Sequence, residues 1–279
     1  MMSVRKLWYV IMPMILGFLF VFLGLLLQNV LENFLYDTLF PNLQEIKMFR
    51  ITLDVLFFTV LSLVFVGLAK LIYKDYSILG FSKHNMGKQL LLGYLTGFAF
   101  VAVMALGYLF ISQPQVNIVV NAHSLSAVIF SMIFYCAQGT QEEVITRGFI
   151  LGGIAKETNV WLGILMSSVF FALMHLSNAG GVTLNLIDYF LFGFLLAILR
   201  MITGNTWFVS AFHAAYNLTI TDIFGLSQKL EESEGVVLQI IHNSSVEYMG
   251  MIVSVLLLAI LSKRILIRSN SWQLPLKVK

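Results

Sequence analysis

Apolar residues in this chain gather into long runs, each close to the roughly 20 residues that an α-helix needs to cross the hydrocarbon core of a bilayer. Eight such runs are present, at about 7–28, 51–73, 90–112, 124–146, 160–177, 183–203, 206–224 and 246–262. The fifth and seventh are short or polar, as suits helices that face other protein and not lipid. The first run follows Arg5 and Lys6 and has no small-residue cleavage pattern behind it, so it is expected to stay as a helix and not to be removed as a signal peptide. No internal repeat, low-complexity tract or Pro-rich linker interrupts the pattern, and Pro13, Pro41, Pro114 and Pro275 lie outside the central region. The expected fold is all-α, one polytopic transmembrane bundle of about eight helices spanning residues 1–279.

Composition agrees with that pattern. The chain is 59% hydrophobic and 11% charged, against about 25% charged residues in soluble domains. A net charge of +3 is too small to imply nucleic-acid binding, and Cys136, the single cysteine, permits no disulfide within the chain. The basic residues instead serve as topology signals, because Lys and Arg favour the cytoplasmic ends of spans. Threaded through eight spans, Arg5, Lys6, Lys70, Lys74, Lys83, Lys88, Arg147, Lys156, Arg200, Lys263, Arg264, Arg268, Lys277 and Lys279 share one side; Lys47, Arg50 and Lys229 take the other. Both termini are expected to be cytoplasmic, with Arg147 read either as a loop marker or as a residue inside the membrane. A bacterial plasma membrane is the expected setting.

Ionisable residues inside spans cost about 2.5–3.5 kcal/mol each at a helix centre, which makes them functional candidates. Most fall in the middle of the chain: Glu142, Glu143 and Arg147, then His175, Asp188, His213 and Asp222, with the amide of Asn217 beside them. Asp54 and Lys70 lie apart, in the second run. Glu143 and Arg147 are four residues apart with the acid first, the favourable order for a helical ion pair. Glu142 is rotated about 100° from Glu143 and has no evident partner within its own helix. His213 and Asn217 are also four apart and present two polar groups on one face. A carboxylate, two imidazoles and an amide on three helices suit hydrolysis of an amide bond. Glu142 would act as general base on a water, His175 would help to hold that water, and His213 and Asn217 would donate to the oxyanion. The same set equally suits a zinc site built from Glu142, His175 and His213 with an open position for water, and spacing does not separate the two mechanisms.

Three motifs in this order carry a resemblance: EExxxR at Glu142–Arg147, FxxxH at Phe171–His175 and HxxxN at His213–Asn217. Over residues 120–225, the motif-bearing core, the chain resembles the CAAX proteases and bacteriocin-processing enzymes (the CPBP or Abi family), whose members include the Ras-converting CAAX prenyl endopeptidase. The resemblance implies an eight-helix intramembrane endopeptidase acting on a membrane-associated peptide or lipidated protein. It implies Glu142 as the catalytic glutamate, with His175, His213 and Asn217 beside it, and Glu143 and Arg147 as structural supports. Phe171 enters with the second motif. Bacteriocin self-immunity and regulation of a membrane partner protein are also known in the family. Two other classes compete: a non-catalytic immunity or scaffold protein that keeps the motifs for packing, and a transporter or proton relay, which buried Glu, His and Asp also build. No HExxH, GxSG or GxGD motif is present, and nothing around Ser210 resembles a nucleophile elbow. The acidic stretch 229–235 and the sequon at Asn243 are expected to be loop features.

Overall fold

The computed structural model describes residues 3–35, 47–120, 122–177, 184–226, 237–240 and 245–269. The acidic stretch 229–235, the sequon at Asn243, and Lys277 and Lys279 lie outside the described residues. The protein is an all-α bundle. Its helices are α1 (Val4–Asn33), α2 (Lys47–Tyr73), α3 (Met86–Ser112), α4 (Ala122–Glu143), α5 (Leu151–Glu157), α6 (Val160–Met174), α7 (Leu184–Thr203), α8 (Thr206–Leu218) and α9 (Ser245–Ser269). A π-helical stretch, Val144–Ile150, joins α4 to α5, so the two helices and the stretch between them make one continuous rod. A second π turn, Thr219–Ile223, extends α8.

Stretches of α1, α2, α3, α7 and α9 are long and apolar enough to cross a membrane by themselves. This is an integral membrane protein. The end of α4 and the stretch that continues it lie in the interior, where every residue from Gln141 to Ile154 is buried, packed with α8 and one side of α6. Helices that carry polar residues are thereby kept from lipid, which cannot satisfy them.

Local chemistry explains the boundaries. Asn159 caps α6 by accepting from the Leu162 amide at 2.9 Å, and Asn205 caps α8 by accepting from Trp207 at 3.0 Å. Gly204, at φ +67°, turns the chain sharply between α7 and α8. Between α2 and α3, a 3₁₀ turn at Ser77–Leu79 leads to Gly80 at φ +72°. This connection is fastened to α8: the Thr206 amide donates to Gly80 O at 2.9 Å and its hydroxyl to Leu79 O at 2.6 Å. Lys156, at the end of the rod, donates to Tyr73 O at 3.1 Å and pairs with Asp75 at 3.2 Å.

Lipid is as apolar as leucine, so helices in a membrane associate mainly through close packing at small residues. The α3–α8 contact is built that way. A Cβ on Gly93 would collide with Phe208 O, and one on Gly97 with Phe212 O. Gly139 of α4 likewise brings its helix onto α8, where a Cβ would sit 3.0 Å from the Ala214 nitrogen. α8 is therefore clamped between α3 and α4, which fixes the position and rotation of His213.

Two features depart from the sequence pattern. A two-stranded antiparallel ribbon pairs β1 (Val116–Ile118) with β2 (Leu238–Ile240), with Asn117 opposite Gln239, and ties the α3–α4 connection to the segment before α9. Arg147 is no loop marker, since it is wholly buried within the rod. Arg200, also counted as a topology signal, is wholly buried in the last turn of α7.

Candidate active site

The end of α4 faces the middle of α8 and the end of α6, and six of the seven motif side chains meet there. Glu142 points Oε2 at two imidazoles, 3.8 Å from His175 Nε2 and 3.9 Å from His213 Nε2. Both separations exceed hydrogen-bond length and are short enough for one water to touch all three groups. This oxygen is buried and finds no hydrogen-bond partner among the described residues. Such an atom calls for a functional or solvent explanation.

The far side of each imidazole is fixed. His175 Nδ1 lies 2.8 Å from Phe171 O. A carbonyl only accepts, so Nδ1 carries the proton and Nε2 presents its lone pair towards Glu142. The His175 ring is held between Phe171, at 4.5 Å, and Tyr189 of α7, stacked at 4.5 Å and 21°. His213 Nδ1 lies 2.9 Å from Glu143 Oε1. That same carboxylate oxygen accepts from Arg147 Nη1 at 2.9 Å, with both side chains fully buried. Arg147 also donates to Thr146 Oγ1 at 2.6 Å and to Gly193 O at 2.7 Å, and its guanidinium lies over the Phe171 ring at 4.7 Å. Glu143 Oε1 is shared between a guanidinium and an imidazole. The adjacent glutamates thus approach His213 from its two nitrogens, one each.

Asn217 stands one turn along α8, away from Glu142. Its Nδ2 donates to Gln138 Oε1 at 3.3 Å, and Gln138 lies one turn before Glu142 on α4. The two helices therefore present His213 opposite Glu142 and Asn217 opposite Gln138. Asp188 lies beside Gly250 of α9, and Asp54 accepts from Gln28 at 2.8 Å between α1 and α2. Gln138 and Tyr189 were not anticipated from the sequence. Only Gln138 left a signal there, as a polar residue one helical turn before Glu142.

The zinc alternative can be tested against these positions. Metal bonds of about 2.0–2.1 Å in a tetrahedron put ligand atoms roughly 3.3 Å apart. The Glu142–imidazole separations are about half an ångström wider. Among the described residues, no group of three His, Cys, Asp or Glu side chains is arranged to hold a metal ion. The geometry as it stands suits a bound water better than a tetrahedral zinc.

Residues 124–219 match the family model described as Type II CAAX prenyl endopeptidase Rce1-like. Over that segment the chain is similar to the CAAX proteases. The match runs from the start of α4 through α8 and includes all three motifs. No curated protein and no solved structure matches the chain. The Rce1-like segment, embedded in a bundle of apolar helices, supports an intramembrane endopeptidase in general terms.

Proposed function

We propose that this Rce1-like chain hydrolyses a peptide bond of a membrane-associated peptide or lipidated protein, with Glu142 as the general base. The observation that carries this reading is the buried, unpaired Oε2 of Glu142 facing two imidazoles whose other nitrogens are already committed. A water held there donates one hydrogen to Glu142 and the other to the His175 Nε2 lone pair, leaving an oxygen lone pair for the scissile carbonyl. As the carbon becomes tetrahedral, Glu142 takes the water proton and later delivers it to the departing amine.

His213 supports the oxyanion. With Nδ1–H donated to Glu143, a proton on Nε2 makes an imidazolium that the Glu143 carboxylate stabilises, and this proton is the donor. Glu143 is accordingly a positioning residue for His213, beyond its ion pair with Arg147. Asn217 gives one amide hydrogen to Gln138 and keeps its second for the substrate or the oxyanion. No step is drawn through a metal.

Glu142→Gln keeps the shape and removes the base. Peptide cleavage by purified protein in liposomes is expected to fall by about 10²–10⁴-fold with the melting temperature kept. Full turnover by a folded Glu142→Gln protein would remove Glu142 as the base, and absence of cleavage by the folded wild type would point to the non-catalytic or transport readings.

A further inference from the structure

At the end of the bundle where α2 and α7 finish and α3 and α8 begin, a cavity of about 560 Å³ opens between the 77–85 connection and the 203–205 turn. Its wall includes Ser82, Lys83, His84, Asn85, Gln89 and Asn205. The charge balance is basic and donor-rich: no carboxylate lines it. Asn85 Nδ2 lies 2.8 Å from His84 Nε2. Because the amide NH₂ only donates, that ring nitrogen accepts and Nδ1–H remains a donor.

Directly behind this wall lies Arg200. Its guanidinium packs on Gly80, a wall residue, so closely that a Cβ there would collide with Nη2, Cζ and Nε. The side chain is wholly buried, and none of its three nitrogens meets a hydrogen-bond acceptor among the described residues. Arg147, the other wholly buried arginine, has a carboxylate, a hydroxyl and a carbonyl to donate to. A buried charge without a counter-charge is severely unfavourable. An anion close by would offset this charge, and the cavity on the other side of Gly80 is where one can approach it.

We propose that this cavity binds a phosphate group, carried by an anionic phospholipid, with Lys83, His84 and Gln89 as direct donors and Arg200 as the buried positive charge behind the wall. Two observations favour a lipid over a free ion. The volume lies in the roughly 300–1,000 Å³ range of small-molecule sites, far more than inorganic phosphate fills. Phe81 of the wall also packs edge-on against Trp207 at 4.6 Å, and next to wall residue Ser77 the exposed Tyr76 carries Lys70 over its ring at 4.9 Å. Aromatic and basic side chains of this kind sit at headgroup level. Bound there, the headgroup reinforces the Gly80–Thr206 link that anchors the start of α8, the helix that bears His213.

The test is thermal unfolding of delipidated full-length protein in detergent, titrated separately with phosphatidylglycerol, phosphatidylcholine and inorganic phosphate. Phosphatidylglycerol is expected to raise the melting temperature, phosphatidylcholine much less, and phosphate at millimolar concentration not at all. In the Lys83→Ala/Gln89→Ala double variant, whose altered side chains are at the cavity wall, the half-maximal phosphatidylglycerol concentration should rise at least about tenfold. Arg200→Met should abolish the response; if it does not fold, the double variant alone decides. Equal responses to the two lipids, or an unchanged midpoint in the double variant, overturn the proposal. A full response to inorganic phosphate overturns the lipid as its source.

Discussion

Replacing Arg147 by Met keeps much of the side-chain length and removes the charge from a site with no access to water. The wild-type guanidinium donates to Glu143, Thr146 and Gly193 over 2.6–2.9 Å and covers the face of Phe171. Its loss leaves the Glu143 carboxylate buried with only His213 to balance it, and leaves Gly193 O without that donor. Removing one partner of a buried pair costs about 3–5 kcal/mol. At roughly 2–4 °C per kcal/mol for chains of 150–250 residues, the melting temperature should drop by roughly 6–20 °C, read by differential scanning fluorimetry in detergent. Most of that cost comes from the stranded carboxylate. The Arg147→Met/Glu143→Gln double variant should therefore be more stable than the sum of the two single losses implies, by about 0.5–3 kcal/mol. A single variant that melts within about two degrees of wild type, or strictly additive losses, would refute the reasoning.

Cleavage should survive exhaustive treatment with EDTA or phenanthroline; loss that zinc restores would mean that Glu142, His175 and His213 close on a metal after all. Gly97→Leu forces a side chain into Phe212 O on α8 and should cost about 1–3 kcal/mol as overpacking, seen as a lower melting temperature; an unchanged value would place α3 and α8 further apart than they stand here. At Asp75, burial nudges the carboxyl up, but hydrogen bonds from Ser77 and Lys156, with the Lys156 charge, outweigh it and hold the group below its ordinary value. A depressed carboxyl stabilises the fold above the unfolded-chain value near 3.9 and loses that contribution as pH falls through the lower folded value. Asp75→Asn should therefore flatten the acid limb of a melting-temperature profile between about pH 5 and 3 by less than about 1 kcal/mol, since the pair is partly exposed; an unaltered limb would count against the pair.

The helices were legible because a bilayer demands about 20 apolar residues per span, and runs of that length admit few alternatives; among the described residues five of them are long and apolar enough to cross a membrane by themselves. The observed helices mostly start a few residues before the apolar runs, where caps and polar first turns are helical but not apolar: α3 begins at Met86 and not at 90, and α2 at Lys47 and not at 51. The π stretch after Glu143 left no sign, since Val144–Ile150 reads like any buried helix. The ribbon at Val116–Ile118 and Leu238–Ile240 was equally silent, because three-residue strands are too short to show alternation.

Within the site, spacing along one helix correctly paired Glu143 with Arg147 in space, but contacts between helices were out of its reach. The second bond of Glu143, to His213, depends on α4 and α8 lying close together through Gly139. The distance of Asn217 from Glu142 depends on the same alignment, which sets Asn217 beside Gln138. Tyr189 reaches His175 from a helix on which no motif falls. Residue spacing identifies which groups share a face; the small residues that set helix separation determine which faces meet.

The π stretch also divides the rod into two halves with separate indexing. Before it, Glu142 and Glu143 are aligned to α8. After it, Gly152 lies under Ile78 O and Gly153 beside the Tyr73 ring, aligned to α2 and the 77–80 connection. Because its i→i+5 bonds take nearly one residue more per turn than an α-helix, the stretch accommodates an extra residue, and a one-residue deletion that closes it into a plain α-helix would leave the two halves near their present alignment. Most substitutions in this segment are a matter of local fit, Arg147 excepted, whereas an added residue that the stretch cannot absorb would turn the chemistry by about 100° away from the scaffold that carries it.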